Sequence, residues 1–293
     1  MRLDDVQESD QIEDRRGSGG MGGLPGGTGG LGIGTVLILG VIGWALGINP
    51  AVLIGGAEMV QGMRNGGQQQ VSRQSQTGSP TDNMGQFVGK ILGQTEKVWS
   101  DVLPQQANVT YTKPQLVLFD GATRSGCGTA QSAMGPFYCP LDRKVYLDTS
   151  FFREMQQKLG GGGDFAYAYV IAHEVGHHVQ NLLGILPKVQ QAQENLPKRE
   201  ANALSVRVEL MADCLAGVWA NHSKDQIKID ENDIREAMTT ASAIGDDKLQ
   251  QQAQGRVVPD SFTHGSSAQR MQWFTQGWQS GSVKTCNTFQ SRQ

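Results

Sequence analysis

The run His173-Glu174-Val175-Gly176-His177 carries the clearest chemistry in the chain. Its form is H-E-x-x-H. Four residues is close to one helical turn, so on a helix both imidazoles leave from one face at a spacing that chelates a metal. Neutral imidazole suits Zn²⁺. Glu174 follows the first ligand and can face an open fourth position. There a carboxylate can take a proton from attacking water and pass it to a leaving amine. His178 falls outside the spacing and is expected to pack rather than ligate.

Such a site needs a third protein ligand. Glu209 is the best candidate, in R-V-E-L-M-A-D, with Asp213 one turn later on the same face. Glu209 can supply a carboxylate oxygen. Asp213 can accept the free ring N–H of a ligating histidine, expected to be His173, and fix its tautomer. E-x-x-x-D is also a common solvated pair, but here its neighbours Val206, Val208, Leu210, Met211 and Leu215 are apolar. His264 and Arg270, in T-H-G-S-S-A-Q-R, are further candidates, because an imidazole or guanidinium near the metal can stabilise the oxyanion formed at a carbonyl.

The elements that must position these residues can be read from periodicity. Asp164 is expected to cap a helix through FAYAYVIAHEVGHHVQNLL, ending near Gly184. A second helix is expected from Lys198 to about Asn221, a third capped by Asp230, and a fourth started by Ser266 or Ser267. Phe87 to Val102 reads as a helix ended by Pro104. Leu116–Phe119 and Lys144–Asp148 read as strands. The second, with Tyr146, is a candidate edge strand for an extended substrate. Short strands with several long helices give an α+β domain.

This domain is expected over residues 81–293, behind a leader. Residues 1–30 read as a polar, then glycine-rich, disordered tail. From Leu31 the chain becomes LGIGTVLILGVIGWALGI, with no charged residue between Arg16 and Glu58. Residues 31–56 are therefore expected to be a single transmembrane anchor and 57–80 a flexible linker. Arginines flank the span on both sides, so charge barely orients it. The formal net charge is -3 with no basic block, which argues against a nucleic-acid partner. Four cysteines, none in a CxxC pair, allow three sets of two disulfides or four separate thiols. Cys127–Cys139, bracketing a short loop, is the preferred pair, leaving Cys214–Cys286. Disulfides would favour a domain outside the cytoplasm.

The segments C-G-T-A, G-P-F-Y-C-P, V-Y-L-D, A-H-E-V-G-H-H-V-Q and R-V-E-L-M-A-D-C-L-A-G, with the leader, together resemble the bacterial neutral zinc metallopeptidase family. The resemblance spans nearly the whole chain. It implies a zincin-like fold, Zn²⁺ and a single-pass protein of the bacterial inner membrane. More distantly, the chain resembles HtpX and CAAX-type membrane endopeptidases, which share H-E-x-x-H, a downstream E-x-x-x-D and a final H-P-S-x-x-x-R. Glu209 and Asp213 match the second element and His264 to Arg270 the third, with Gly265 in place of the proline. That match implies Glu209 as a ligand and His264 as an oxyanion contact.

The expected activity is hydrolysis of peptide bonds in a peptide or protein substrate. Its rivals are a catalytically silent, membrane-tethered zinc scaffold and hydrolysis of a non-peptide amide.

Overall fold

The computed structural model describes residues 1–17, 76–77, 80–158 and 162–290. Three strands run parallel at the centre of a sheet. They are β1 (Ile12–Asp14), β3 (Gln115–Phe119) and β7 (Lys144–Asp148). Two antiparallel strands flank them, β2 (Gln76–Thr77) beside β1 and β6 (Phe137–Cys139) beside β7. The order is β2-β1-β3-β7-β6. A hairpin, β4 (Ala122–Ser125) and β5 (Gly128–Gln131), forms a second sheet.

Strand side chains alternate between faces. Leu116, Leu118, Val145 and Leu147 enter the main core, while Val117, Phe119 and Tyr146 form a smaller cluster with Ala130 and Cys139. The sheet is therefore buried on both faces, which is why β3 reads as continuous apolar residues. β7 has a partner on each side, so it is not the edge strand expected from its alternation. Among the described residues that edge belongs to β6, closed to the hairpin by the disulfide Cys127–Cys139.

The helices are α1 (Asn83–Ala107), α2 (Ser150–Lys158), α3 (Asp164–Leu182), α4 (Ile185–Gln193), α5 (Lys198–Ser223), α6 (Glu231–Ala243), α7 (Asp246–Gln254) and α8 (Ser267–Ser280). Local signals set several starts as expected. Asp230 and Ser266 each close a capping box, which satisfies backbone N–H groups that a helix leaves unpaired at its first turn. Two boundaries differ. Gly163 takes the cap position and Asp164 is the first helical residue of α3. Helix α1 runs through Pro104, which sits in its last turn, and the helix closes at Asn108 in a left-handed conformation.

The expected polar tail is corrected over Met1–Gly17, which belongs to the folded domain. Ile12 is fully buried, Arg15 N–H donates to the Leu118 carbonyl at 2.8 Å, and Leu116 N–H donates to Gln11. Glu13 pairs with Lys144, and Arg16 bridges Asp14 and Asp82. At Gly93 in α1 an added Cβ would lie 2.3 Å from the Gln7 carbonyl oxygen, so the segment packs backbone against helix. Gln76–Thr77, near the end of the expected linker, pair with β1.

Residues 31–56, expected as the membrane anchor, lie outside the described residues, as do 18–30 and most of 57–80. Among the described residues no helix is long and apolar enough to cross a membrane. The sheet nonetheless constrains sidedness. Residues 1–17 share one sheet and one core with residues 80–158 and 162–290, and those contacts cannot form across a bilayer. In this fold both parts lie on the same side of any membrane, which the expected single crossing between them would not allow. All four native cysteines are disulfide-bonded, so introduced ones report cleanly. Asp5→Cys and Lys224→Cys, both at exposed positions, should react alike with a membrane-impermeant maleimide in intact cells. Opposite labelling would mean that β1 leaves the sheet in the cell.

Candidate metal centre

Helices α3 and α5 build the site because they cross closely. At Gly176 an added Cβ would lie 3.1 Å from the Ala212 carbonyl oxygen and 3.3 Å from its Cα. This tight crossing sets His173 and His177 opposite Glu209 and Asp213. Helices α5 and α8 touch backbone to backbone. A Cβ at Gly217 would meet the Phe274 carbonyl at 2.2 Å, and one at Gly277 would meet Cys214 at 1.9 Å. That approach lets Arg270 of α8 reach the middle of α5. The disulfide Cys214–Cys286 ties α5 to the C-terminal turn Val283–Cys286, so both expected pairs are present.

His173, His177 and Glu209 converge, each offering a ligand atom within 4.8 Å of the others. His173 Nε2 lies 3.1 Å from Glu209 Oε2, and His177 Nε2 lies 3.5 Å from Oε1. Tetrahedral zinc with bonds of about 2.1 Å would space its donors roughly 3.4 Å apart. Both imidazole–carboxylate distances are thus already close to the separation zinc requires. The two rings are nearly perpendicular, their centroids 4.8 Å apart.

Both ligand histidines have their second nitrogen fixed. His173 Nδ1 is 2.8 Å from Asp213 Oδ1, as the sequence led us to expect. His177 Nδ1 is 2.9 Å from Gln180 Oε1, and the Gln180 amide donates to the Val208 carbonyl of α5 at 2.6 Å. With Nδ1 so engaged, Nε2 of each ring faces the metal position.

Asp213 is fully buried and serves several donors at once. The Tyr169 hydroxyl donates to Oδ1 at 2.6 Å, while Arg270 Nε donates to Oδ2 at 2.8 Å and Nη2 to Oδ1 at 2.9 Å. Burial opposes the Asp213 charge, but Arg270 and His173 outweigh it and hold its pKa at about 2. The Arg270 guanidinium is 3% exposed and turned onto this carboxylate. It meets His173 through Asp213, on the Nδ1 side of the ring.

Burial favours the neutral forms of His173 and His177, yet Asp213 raises the first and Glu209 the second. The same negative field favours a divalent cation between the rings. Glu209 is held well below the usual carboxylate range: burial resists, and His177 and His173 prevail, with His264 contributing. Glu174 behaves oppositely. It is 7% exposed, and burial raises its pKa despite the pull of both histidines. Two carboxylates in one site are thus driven apart, Glu209 towards the charged form and Glu174 towards the neutral one.

His178 is buried away from the ligand group. Its Nε2 lies 2.6 Å from the Thr112 carbonyl and its Nδ1 3.0 Å from the Tyr138 hydroxyl, joining α3 to β6. Burial lowers its pKa to about 4. His222, at the end of α5, meets the Gly281 carbonyl. His264 stands in the loop before α8, its Nδ1 3.2 Å from Asp246 Oδ1, close enough to Glu209 for the two charges to interact.

Sequence reasoning missed Tyr169, Gln180 and Asp246. Tyr169 lies four residues before His173 and Gln180 three after His177. Helical spacing alone would have put them beside the ligands. Asp246 carries no comparable signal.

A family model described as Putative neutral zinc metallopeptidase matches residues 1–289. The uncharacterized protein YpfJ of Escherichia coli strain K12 is 49% identical over 299 residues, covering 99% of each chain. The uncharacterized protein Rv2575 of Mycobacterium tuberculosis strain H37Rv is 45% identical over 205 residues, covering 66% of this chain and 67% of its own. No solved structure matches the chain. The family and the donor set agree on Zn²⁺ as the cofactor of the His173, His177 and Glu209 group. With a model matched along nearly its whole length, the chain belongs to the putative neutral zinc metallopeptidase family.

Proposed function

We propose that this protein is a zinc-dependent peptidase, with a zincin-like catalytic domain, that hydrolyses peptide bonds within its substrates. The observation that carries this reading is a three-donor group with Glu174 beside it. Structural zinc sites close all four positions with protein ligands. Among the described residues only His173, His177 and Glu209 form such a group, and Asp213 is turned to the far nitrogen of His173.

In this reading His173, His177 and Glu209 hold the metal. When bound, zinc polarises the scissile carbonyl and acidifies the attacking water. Glu174 accepts the proton of that water and returns it to the leaving amine. Its buried setting supports the role, because a raised pKa makes a carboxylate a better base near neutrality. His264 contacts the carbonyl oxygen as charge develops there. The substrate lies extended along β6, the strand at the sheet edge whose Tyr138 is bonded to α3 through His178.

The domain works outside the cytoplasm, associated with the bacterial inner membrane through residues 31–56. The two disulfides support the compartment, and the uncharged run in the sequence supports the association.

Purified full-length protein should cleave an unstructured peptide library, lose that cleavage on chelation and regain it with one equivalent of Zn²⁺. A zinc-loaded protein that cleaves no peptide would defeat the reading and favour a silent scaffold. Cleavage confined to non-peptide amides would redirect the substrate while keeping the site.

A further inference from the structure

Asp246 opens α7 at 7% exposure, and it gathers an entire loop around one carboxylate. Its Oδ2 accepts the backbone N–H groups of Thr263 at 2.7 Å, His264 at 2.7 Å and Gly265 at 3.1 Å. Its own N–H donates back to the Gly265 carbonyl at 2.9 Å. Its Oδ1 lies 3.2 Å from His264 Nδ1. Three converging backbone donors favour an ionised carboxylate. An ionised carboxylate beside Nδ1 in turn favours the doubly protonated ring, in which Nδ1–H is directed at Asp246 and Nε2 also carries a proton to donate.

The loop's sequence agrees with this arrangement. Gly265 has φ +92° and spends its N–H on Asp246. Proline has φ near −65° and no N–H, so it could adopt neither feature. Gly265 is therefore what lets Asp246 close the loop. The His264 side chain remains 47% exposed, and its loop packs on α5 beside Glu209: an added Cβ at Gly265 would lie 3.1 Å from Leu210 Cδ2 and 3.4 Å from Val206 Cγ1.

We infer that Asp246 is a positioning residue for catalysis: it holds His264, with its Nε2–H as donor, beside the open side of the metal group where a substrate carbonyl oxygen arrives. The inference rests on the peptidase reading above for its consequence in turnover, but not for its geometry.

The test uses zinc-loaded, full-length protein. Asp246→Asn should lower kcat about 10- to 100-fold, the range expected when one oxyanion contact is misplaced, with KM nearly unchanged and one zinc per chain retained. His264→Ala should lose a similar factor, and the double variant should be no worse than His264→Ala, because Asp246 acts through that ring. A merely structural role would instead multiply the two losses. As a readout independent of turnover, ¹⁵N–¹H correlation of the imidazoles should show His264 protonated at both ring nitrogens near neutral pH in the native protein. That signature should be lost in Asp246→Asn, while the signals of His173 and His177 hold. Unchanged kcat, multiplicative losses or an unmoved His264 signal would overturn the inference. Should the native protein hydrolyse no peptide, the peptidase reading fails alone, and the ring spectra still decide whether Asp246 governs the protonation of His264.

Discussion

Glu174→Gln should abolish nearly all turnover, by about 100- to 10,000-fold, while leaving zinc bound at one equivalent. The amide preserves the shape of the side chain and cannot accept the proton of attacking water. The variant leaves His173, His177 and Glu209 untouched, so its metal affinity should stay within about threefold of the native value. Its stability should rise slightly or hold, because burial already disfavours the Glu174 charge. Measurement of kcat on the cleaved library peptide, beside metal analysis and thermal unfolding, separates these effects. Full turnover in zinc-loaded Glu174→Gln would remove the general base from the scheme.

Asp213→Asn should produce the second large effect, this time in metal affinity and stability together. Asp213 carries the hydrogen bonds of His173, Tyr169 and Arg270 in a fully buried position. Removing its charge leaves the Arg270 guanidinium buried without its counter-ion. Breaking such a pair typically costs about 3–5 kcal/mol, on the order of 10 °C in Tm for a domain of this size. Loss of the group that orients His173 should also weaken zinc about 10- to 100-fold. The double variant Asp213→Asn with Arg270→Met separates the two terms. It should recover much of the stability, since no charge is then stranded, but none of the zinc affinity. Recovery of both would mean that Asp213 neutralises Arg270 and does nothing for His173.

The ligand group was legible in the sequence because its parts are local. H-E-x-x-H and E-x-x-x-D each fix a spacing on one helix, and helical geometry turns spacing into direction without knowledge of the rest of the fold. The capped helix starts at Asp230 and Ser266 were legible for the same reason. The supporting contacts depended on how helices meet. Nothing in the chain announces that Gly217 and Gly277 face each other, yet their contact is what carries Arg270 to Asp213. Likewise Asp246 acts on residues 263–265, which are far along the chain and reach it through a loop.

Strand β1 illustrates the opposite failure. Ile12 is its lone apolar residue, so the segment reads as polar tail. What makes it a strand is the edge of β3 and the pairings of Glu13 with Lys144 and Arg16 with Asp82, more than sixty residues away in sequence. β7 was assigned to the right conformation but the wrong place. Alternation signals a strand, whereas an edge is a property of the neighbours, and β3 and β6 occupy both of its sides.

The most direct test is anomalous diffraction at the zinc absorption edge from crystals of the metal-loaded protein. A single strong peak should lie about 2.1 Å from His173 Nε2, His177 Nε2 and a Glu209 carboxylate oxygen, with the Glu174 carboxylate facing the remaining side. A peak elsewhere, or one bound to both histidines with Glu209 turned away and another protein donor closing the fourth position, would contradict the account.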